Sequence, residues 1–138
     1  TGVKSNATPM YPYNKALYTE SGHIVELDDT RGNERISIEH RTGTFYEIDA
    51  EGNQMHRVVN DNYTVICKDN EVYIGGKVNI KVLGDASIKS YGDVTIKGYG
   101  DGKIDVAGKM DIEAGDDINI SSAKIIKLSA MEVKNNIG

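Results

Sequence analysis

The chain has 138 residues and a mass of 15.1 kDa, and only 38% of its residues are hydrophobic, with one Phe and no Trp. That is little apolar surface for one ordinary globular core, and the net charge of −5 excludes the basic surface that nucleic acids and anionic lipids require. The longest apolar runs are too short for a transmembrane helix or a signal peptide, and the single cysteine excludes a disulfide within the chain.

The first predicted segment, residues 1–20, is an extended linker. It holds both prolines and three of the eight tyrosines, and its apolar and polar residues show little alternation. We expect this linker to pack along a neighbouring surface.

Residues 21–53 are predicted to form a short antiparallel β region that joins a base to a shaft. Apolar and polar residues alternate over 23–29, 35–40 and 44–49, as expected for strands with one buried face. Turn-forming sequences separate these stretches and follow the last one, at 30–34, 41–43 and 51–53. The alternation then leads without a long gap into a repeat.

From Gly76 onward the repeat is strict, with a period of eight residues. The third, fifth and seventh places of each octad are mostly apolar or small and the fourth and sixth mostly polar, which predicts one short strand per octad. The corner glycines are Gly76, Gly84, Gly92, Gly100 and Gly108, and the phase continues at Asp116 and Lys124. The fifth-place residues, which we predict to be the structural core, are Ile80, Ile88, Ile96, Ile104, Ile112, Ile120 and Leu128.

Two further expectations concern the residues at and beside each corner. Glycine at a corner suggests that the backbone there needs a positive φ. Small or polar residues at the seventh place, namely Ser90, Gly98 and Ser122, predict gaps in the interior where water or ions could lie.

One octad strand cannot enclose a core, so octads must stack. Three consecutive octads of one chain could form a three-sided coil, or three identical chains could wind round one axis and each supply one face per layer. The second arrangement explains why all octads are alike, since each then meets the same environment. We therefore predict an all-β fold in which residues 54–138 form one third of an intertwined homotrimeric triple-stranded β-helix, a triangular prism. A monomeric protein would instead indicate a solenoid closed by each chain alone.

Residues 19–53 resemble the segment between base and shaft in the central spike proteins of contractile-tailed phages. The related VgrG spikes of type VI secretion carry a similar pattern, Asp-Asp-Thr-x-Gly-x-Glu-x-Ile followed by His-x-x-Gly. The matching residues in this chain are Asp28, Asp29, Thr30, Gly32, Glu34, Ile36, His40 and Gly43. Pro9–Asn14 resembles the segment that enters this region in the phage branch, and in both families an octad-repeat β-helix follows.

This resemblance implies a rigid trimeric needle, located in the tail baseplate of a virion assembled in the host cytoplasm, that punctures the outer envelope of the host cell. The implied partners are baseplate hub proteins at the N-terminal end, a PAAR-like tip protein at the C-terminal end, and transiently the host outer membrane, but no nucleic acid. Met131, Val133 and Ile137 are the apolar residues that we expect to form the tip. Alternatives are a fragment of a VgrG-type secretion spike, or the shaft of a trimeric adhesin or tail fibre that presents Tyr91 and Tyr99 to surface glycans.

Catalysis is not expected from this chain. In the resembling phage family an OB-fold domain and a lysozyme domain precede the β-helix, so we expect a shaft fragment, a processed C-terminal product or a spike that lacks the enzyme. A glycosidase needs two carboxylates facing each other in a cleft. Five acidic residues of the β region are instead expected in turns or on outward strand faces; they are Asp28, Asp29, Glu34, Glu47 and Asp49.

No cofactor and no metal site are expected from a single chain. The three histidines, His23, His40 and His56, are 17 and 16 residues apart, and no cysteine cluster accompanies them. Three copies of one histidine on a threefold axis would be the remaining way to bind a metal.

Overall fold

The computed structural model describes residues 10–135, and within that range the chain is all-β and contains no helix. One antiparallel sheet holds five strands in the order of the sequence, β1-β2-β3-β4-β5. The strands are β1 (Asn14–Tyr18), β2 (Ile24–Asp28), β3 (Arg35–Glu39), β4 (Phe45–Ile48) and β5 (Gln54–Arg57). In the described part of the chain there is also no helix that could cross a bilayer.

Tight turns join the five strands, and glycine is required in them. Gly22 and Gly43 have φ values of 94° and 93°, a left-handed conformation that costs a residue with a Cβ atom about 1–2 kcal/mol. The Gly43 amide donates to the His40 carbonyl over 2.8 Å and thereby closes the β3–β4 turn. The turns predicted at 30–34, 41–43 and 51–53 all separate strands, so the predicted antiparallel β region is confirmed.

The limits of this region differ from the predicted ones. Asn14–Tyr18 is strand β1, which pairs with β2 from Asn14↔Asp28 to Tyr18↔Ile24, so the linker prediction for 1–20 is wrong over these five residues. The physical reason is that backbone pairing does not need alternation, and β1 is an edge strand with mostly exposed side chains. Gln54–Arg57 is likewise strand β5 of the sheet and not the start of the shaft. The part of the linker prediction that covers residues 1–9 lies outside the described residues.

The sheet encloses its polar face and exposes its apolar face. Glu26, Asp28, Ser37 and Glu47 are buried, at 2–5% exposure, together with Phe45. The alternate residues of β2 and β3 point the other way and are exposed; they are Val25, Leu27, Ile36 and Ile38, at 42–52%. Because strand residues alternate between faces, the same pattern that predicted the strands also separates these two sets.

Beyond the sheet the backbone runs without pairing and bends at intervals of eight residues. Bends lie at 67–68, 75–76, 83–84, 91–92, 99–100, 107–108, 115–116 and 123–124. From 75–76 onward each bend contains the first place of an octad, including the positions of Asp116 and Lys124, and the bend at 67–68 lies eight residues before the first of these. Every residue from 60 to 135 is exposed in the single chain.

The corner glycines do not have the conformation that was predicted for them. None of the glycines from Gly75 to Gly115 has a φ in the left-handed region, and a Cβ atom added at any of them would meet nothing within 4 Å of the same chain. The expectation of positive φ at the corners is therefore wrong. These bends use backbone angles that any residue adopts, which explains why Asp116 and Lys124 occupy the same place in later octads.

The chain divides into two compact units. The first comprises Thr1–Asn79 and so joins the sheet to the start of the bending segment, and the second comprises Ile80–Gly138.

Candidate functional site

One candidate surface of this chain is the row of fifth-place side chains in the octads. Their exposure in the single chain ranges from 64% for Ile112 to 95% for Ile88 and Ile96. Seven aliphatic side chains at a regular spacing are far more apolar surface than a soluble chain leaves in water without a partner. The prediction that three chains bury them round one axis stays a prediction.

The backbone of the same segment also has no partner strand in the chain. Among the described residues from 60 to 135, no amide donates to a carbonyl of the same chain. Extended backbone that is neither paired nor helical offers one donor and one acceptor per residue, and folded proteins satisfy nearly all such groups when they are buried. The segment is therefore a set of open strand edges that can accept neighbouring strands.

Serine hydroxyls stabilise two of the corners. Ser90 Oγ accepts from the Gly92 amide and donates to the Gly92 carbonyl, both over 3.2 Å, and Ser122 Oγ accepts from the Lys124 amide over 3.2 Å. Both serines occupy the seventh place, which was predicted to leave polar gaps in the interior. In the single chain their hydroxyls instead bind the backbone of the next corner.

Two corners carry the same pair of side chains on the surface. The Lys89 ammonium lies 5.0 Å from the centre of the Tyr91 ring, and Lys97 lies 4.9 Å from that of Tyr99. Both tyrosines are more than 90% exposed. A lysine over a ring at such an exposed site contributes on the order of 0.5–1 kcal/mol, so the contact orients the two side chains more than it stabilises the fold.

The predicted tip residues are only partly within the described range. Met131 and Val133 are fully and largely exposed, respectively. Ile137 lies outside the described residues.

A buried ionic cluster occupies the enclosed face of the sheet. Arg35 of β3 donates through Nη2 to Glu26 Oε1 of β2, and its Nη1 lies 3.8 Å from Glu47 Oε2 of β4. All three side chains are less than 10% exposed. The expectation that Glu47 and Asp28 lie in turns or on outward strand faces is therefore wrong as regards their exposure, because the enclosed face of this sheet is the polar one.

Asp28 connects this cluster to the start of the described chain. Its Oδ1 accepts from the Thr30 amide over 2.9 Å, and Thr30 Oγ1 accepts from the Met10 amide over 3.0 Å. Burial raises the pKa of Asp28, but the hydrogen bonds from Thr30 and the nearby charge of Arg35 together outweigh it and hold the pKa below its ordinary value. Asp28 thus stabilises the backbone of the turn that follows β2.

Asp49 has the same role in the exposed β4–β5 turn. Its carboxylate accepts from the Asn53 side chain and amide, over 3.0 and 2.8 Å, and from the Glu51 amide over 3.1 Å. These bonds, those from Asn53 foremost, lower the pKa of Asp49. Both aspartates thus act on the backbone of their own turns, as Asx turns do.

Two of the three histidines meet at one end of the sheet. The rings of His23 and His40 are 4.4 Å apart, because the β2–β3 register sets residue 23 opposite residue 40. The Nδ1 atom of each accepts from a backbone amide, that of Arg41 for His23 and that of Thr42 for His40. His56 contacts Tyr46 instead, and in the described part of the chain no three His, Cys, Asp or Glu side chains are arranged to hold a metal ion.

Sequence reasoning did not find the buried cluster or the histidine pair. The histidine pair could have been predicted, because a β2–β3 hairpin centred on the turn at 30–33 places residues 23 and 40 opposite each other. No comparable signal marks the cluster, because alternation assigns residues to two faces without saying which face becomes enclosed.

Comparison with known proteins gives two phage proteins and no matching family model. The chain is 47% identical over 73 residues to Protein Gp5 of Vibrio phage KVP40, which covers 53% of this chain and 17% of that protein. It is 39% identical over 72 residues to the pre-baseplate central spike protein Gp5 of Enterobacteria phage T4, which covers 51% of this chain and 12% of that protein.

The chain thus spans less than a fifth of the length of these two relatives. Identity of 39–47% over more than 70 residues is nevertheless well above what composition alone would give, and it agrees with the resemblance that the turn pattern at 28–43 predicted. Over about half of its length, this chain is similar to the central spike proteins of phage baseplates.

Proposed function

We propose that this chain is a shaft segment of the central spike of a contractile-tail baseplate, and that three copies form a rigid needle that punctures the outer envelope of a host cell. The observation that carries the proposal is the segment 60–135, which bends every eight residues and satisfies neither its backbone nor its aliphatic side chains within one chain. The similarity to a pre-baseplate central spike protein supports the location in the virion tail baseplate.

Three chains can supply the backbone hydrogen bonds and the apolar contacts that this segment lacks in a single chain. In a triangular prism each strand pairs with strands of the other two copies, and every fifth-place residue points to the shared axis. Burying one such side chain contributes on the order of 1.5–3 kcal/mol, so the seven per chain outweigh any set of exposed ion pairs. Since the pairing is between chains, folding and assembly occur together.

Such a prism suits mechanical work. It has no free strand edge along its length, and bending it requires breaking many backbone hydrogen bonds at once. At about 4.8 Å per layer, seven octads extend roughly 30–35 Å. Base proteins would hold the N-terminal end, and the exposed Met131 and Val133 near the other end would seat a conical tip protein.

The assembly is tested by the mass of the purified chain in solution, measured by light scattering on a sizing column. Three times 15.1 kDa is expected, whereas a mass of 15.1 kDa would contradict the proposal and indicate a solenoid closed by one chain. Deletion of residues 131–138 should keep the assembly of three chains, each shortened by eight residues, but abolish capture of a tip protein; undiminished capture would contradict the proposed tip.

The puncturing role is tested in phage particles. A phage carrying Ile104→Asp in this segment should fail to assemble infective particles, while the outward substitution Thr95→Asp should leave the titre unchanged. Normal titre with Ile104→Asp would contradict a needle that depends on this shaft.

A second function is favoured by the Lys-Tyr pairs at 89–91 and 97–99. Aromatic rings that carry a polar group are enriched at interfaces, and Tyr91 and Tyr99 each lie beside a lysine, so the shaft could belong to an adhesin or tail fibre that binds surface glycans. A glycan-array signal that Tyr91→Ala and Tyr99→Ala remove would support this role, and absence of any glycan signal would leave the needle as the sole proposal.

A further inference from the structure

Two corners of the octad segment carry the same surface unit. The sequence Lys-x-Tyr-Gly-Asp begins at Lys89 and again, eight residues later, at Lys97. In both units the lysine ammonium lies over the tyrosine ring, 5.0 Å from the ring centre in the first and 4.9 Å in the second. Tyr91 and Tyr99 are 94% and 93% exposed. Because residues two apart on a strand share a side, each pair lies on the side opposite to the fifth-place isoleucines.

The ammonium groups of these two pairs have no carboxylate partner in the described part of the chain. Lys103 and Lys109, in the next two octads, each bind instead the aspartate two residues further on, over 2.9 Å. Residues 76–99 hold four lysines and two aspartates, a net charge of +2, whereas residues 100–123 hold two lysines and six acidic residues, a net charge of −4. The overall charge of −5 therefore conceals a basic stretch that contains both lysine–tyrosine pairs.

The proposed trimer would stack the two units on each other. In the prism every corner takes a chain to the next face and up by one layer, so each face carries successive octads from different copies. Tyr91 of one copy then lies one strand spacing, about 4.8 Å, from Tyr99 of a neighbouring copy. Each of the three faces thus carries a column of two rings and two ammonium groups, which we call the lysine–tyrosine column.

We propose that the lysine–tyrosine column binds an anionic saccharide of the cell surface. A phosphate or carboxylate of the saccharide lies against each lysine, and the apolar face of a sugar ring lies against each tyrosine. Ammonium groups bind such anions as point charges, and tyrosine suits ligands that are partly apolar and partly hydrated. The inference rests on the proposed trimer, and it assigns to the needle itself a contact with glycans of one chemical class.

The acidic stretch at 100–123 favours a short saccharide over a membrane as the ligand. An anionic lipid surface would extend over several layers of the shaft and meet these carboxylates, and like charges brought together weaken binding. A long nucleic-acid strand would meet the same repulsion. An oligosaccharide of a few residues can end within the basic stretch.

The test is a calorimetric titration of the assembled protein with three lipid-free oligosaccharides. They are a phosphorylated core oligosaccharide of bacterial lipopolysaccharide, an oligogalacturonate and the neutral maltohexaose. We expect binding of one or both anionic saccharides and none of maltohexaose. Comparison of the first two distinguishes phosphate from carboxylate as the group that the lysines recognise.

Paired substitutions locate the binding on the column. Lys89→Gln with Lys97→Gln should weaken it about tenfold or more, because the charged hydrogen-bond donors are lost. Lys103→Gln with Lys109→Gln removes the same charge from the neighbouring octads and should change the affinity by less than about twofold, since salt screens these more distant charges.

The rings have a matched control as well. Tyr91→Ala with Tyr99→Ala should weaken binding by a factor similar to that of the first lysine pair. Tyr63→Ala with Tyr73→Ala should leave it unchanged, because these tyrosines are 83% and 94% exposed but follow an acidic residue, and not a lysine, two places earlier.

The mass of each sample, measured first by light scattering, separates this inference from the proposed trimer. A particle of three chains that binds neither anionic saccharide would overturn the inference and leave the trimer intact. Equal losses from the two lysine pairs would also overturn it, since total charge alone would then explain the binding. Binding to phosphatidylglycerol vesicles without binding to the saccharides would overturn it in favour of a membrane. A mass of 15.1 kDa would contradict the trimer and with it the column.

Discussion

The sheet and the octad segment are both built from alternating sequences, yet they satisfy their strands in opposite ways. Residues 14–57 pair all five strands within one chain and enclose a polar cluster. Residues 60–135 form no backbone strand pairing within the chain, and every one of them is exposed. Alternation therefore predicts extended backbone, but turn length determines whether the next strand can fold back onto it. The four-residue turns of the sheet reverse the chain, whereas the octad corners only deflect it.

The largest expected effect comes from a charge on the predicted axis. Ile104→Asp should abolish the three-chain assembly, because three carboxylates would be desolvated beside one another. Light scattering should then give 15.1 kDa, while the matched outward substitution Thr95→Asp should keep the mass of three chains. A heat-stable trimer with Ile104→Asp would show that the fifth places do not form the core.

The next largest effect is expected in the sheet. Arg35→Met should cost about 3–5 kcal/mol of local stability, because Glu26 loses its buried hydrogen-bonded cation and Glu47 the same neighbouring charge. Amide hydrogen exchange in β2 to β4 would report the loss. Arg31→Met, in an exposed turn, is the control and should change stability by no more than about 0.5 kcal/mol. Equal effects of the two substitutions would mean that the cluster is unimportant to the sheet.

Glycine substitutions should sharpen the contrast between the two kinds of turn. Gly43→Ala should destabilise the sheet by about 1 kcal/mol or more, because its φ of 93° is strained for alanine although the new Cβ would find only an ordinary contact with Val59. Gly108→Ala should be neutral or stabilise the protein by up to about 1 kcal/mol, since alanine restricts the unfolded chain. Thermal unfolding measures both, and an unchanged stability of Gly43→Ala would contradict the assignment of a strained backbone at that turn.

The smallest expected effect is the acid sensitivity of the sheet. Because the pKa of Asp28 is lower in the folded than in the unfolded chain, its contribution to stability is present above about pH 4 and is lost as the pH falls through the folded-state value. Urea unfolding followed by circular dichroism should show a steeper loss of stability below about pH 4 for the natural chain than for Asp28→Asn. Identical pH profiles would exclude Asp28 as a source of this sensitivity.

Much of the sheet could be predicted from the sequence, and the reasons for the errors are local. Turns with glycine at 32, 43 and 52 and the alternation between them located β2, β3 and β4. β1 was missed because an edge strand needs only backbone partners. The buried Glu26, Arg35 and Glu47 were missed because the usual rule places apolar residues inside, whereas here the polar face is the enclosed one.

For the octads, the sequence predicts the repeat but not the partners of the strands. Their period was readable from five glycines, and the bends follow the same period, but the partner of each strand is not encoded in any local pattern. Positive φ angles were wrongly predicted for the corner glycines, because glycine is common both in left-handed turns and in ordinary bends, and the sequence alone does not distinguish the two.

The ordinary backbone angles at the corners have a consequence for how such a chain can change its length. Since no corner depends on a special residue, a whole octad can be duplicated or deleted without creating a strained junction. Each such event would alter the proposed shaft by one strand spacing of about 4.8 Å and leave the register of all other octads intact. The length of the proposed shaft could therefore change in small uniform steps through recombination between repeats, without any change of fold.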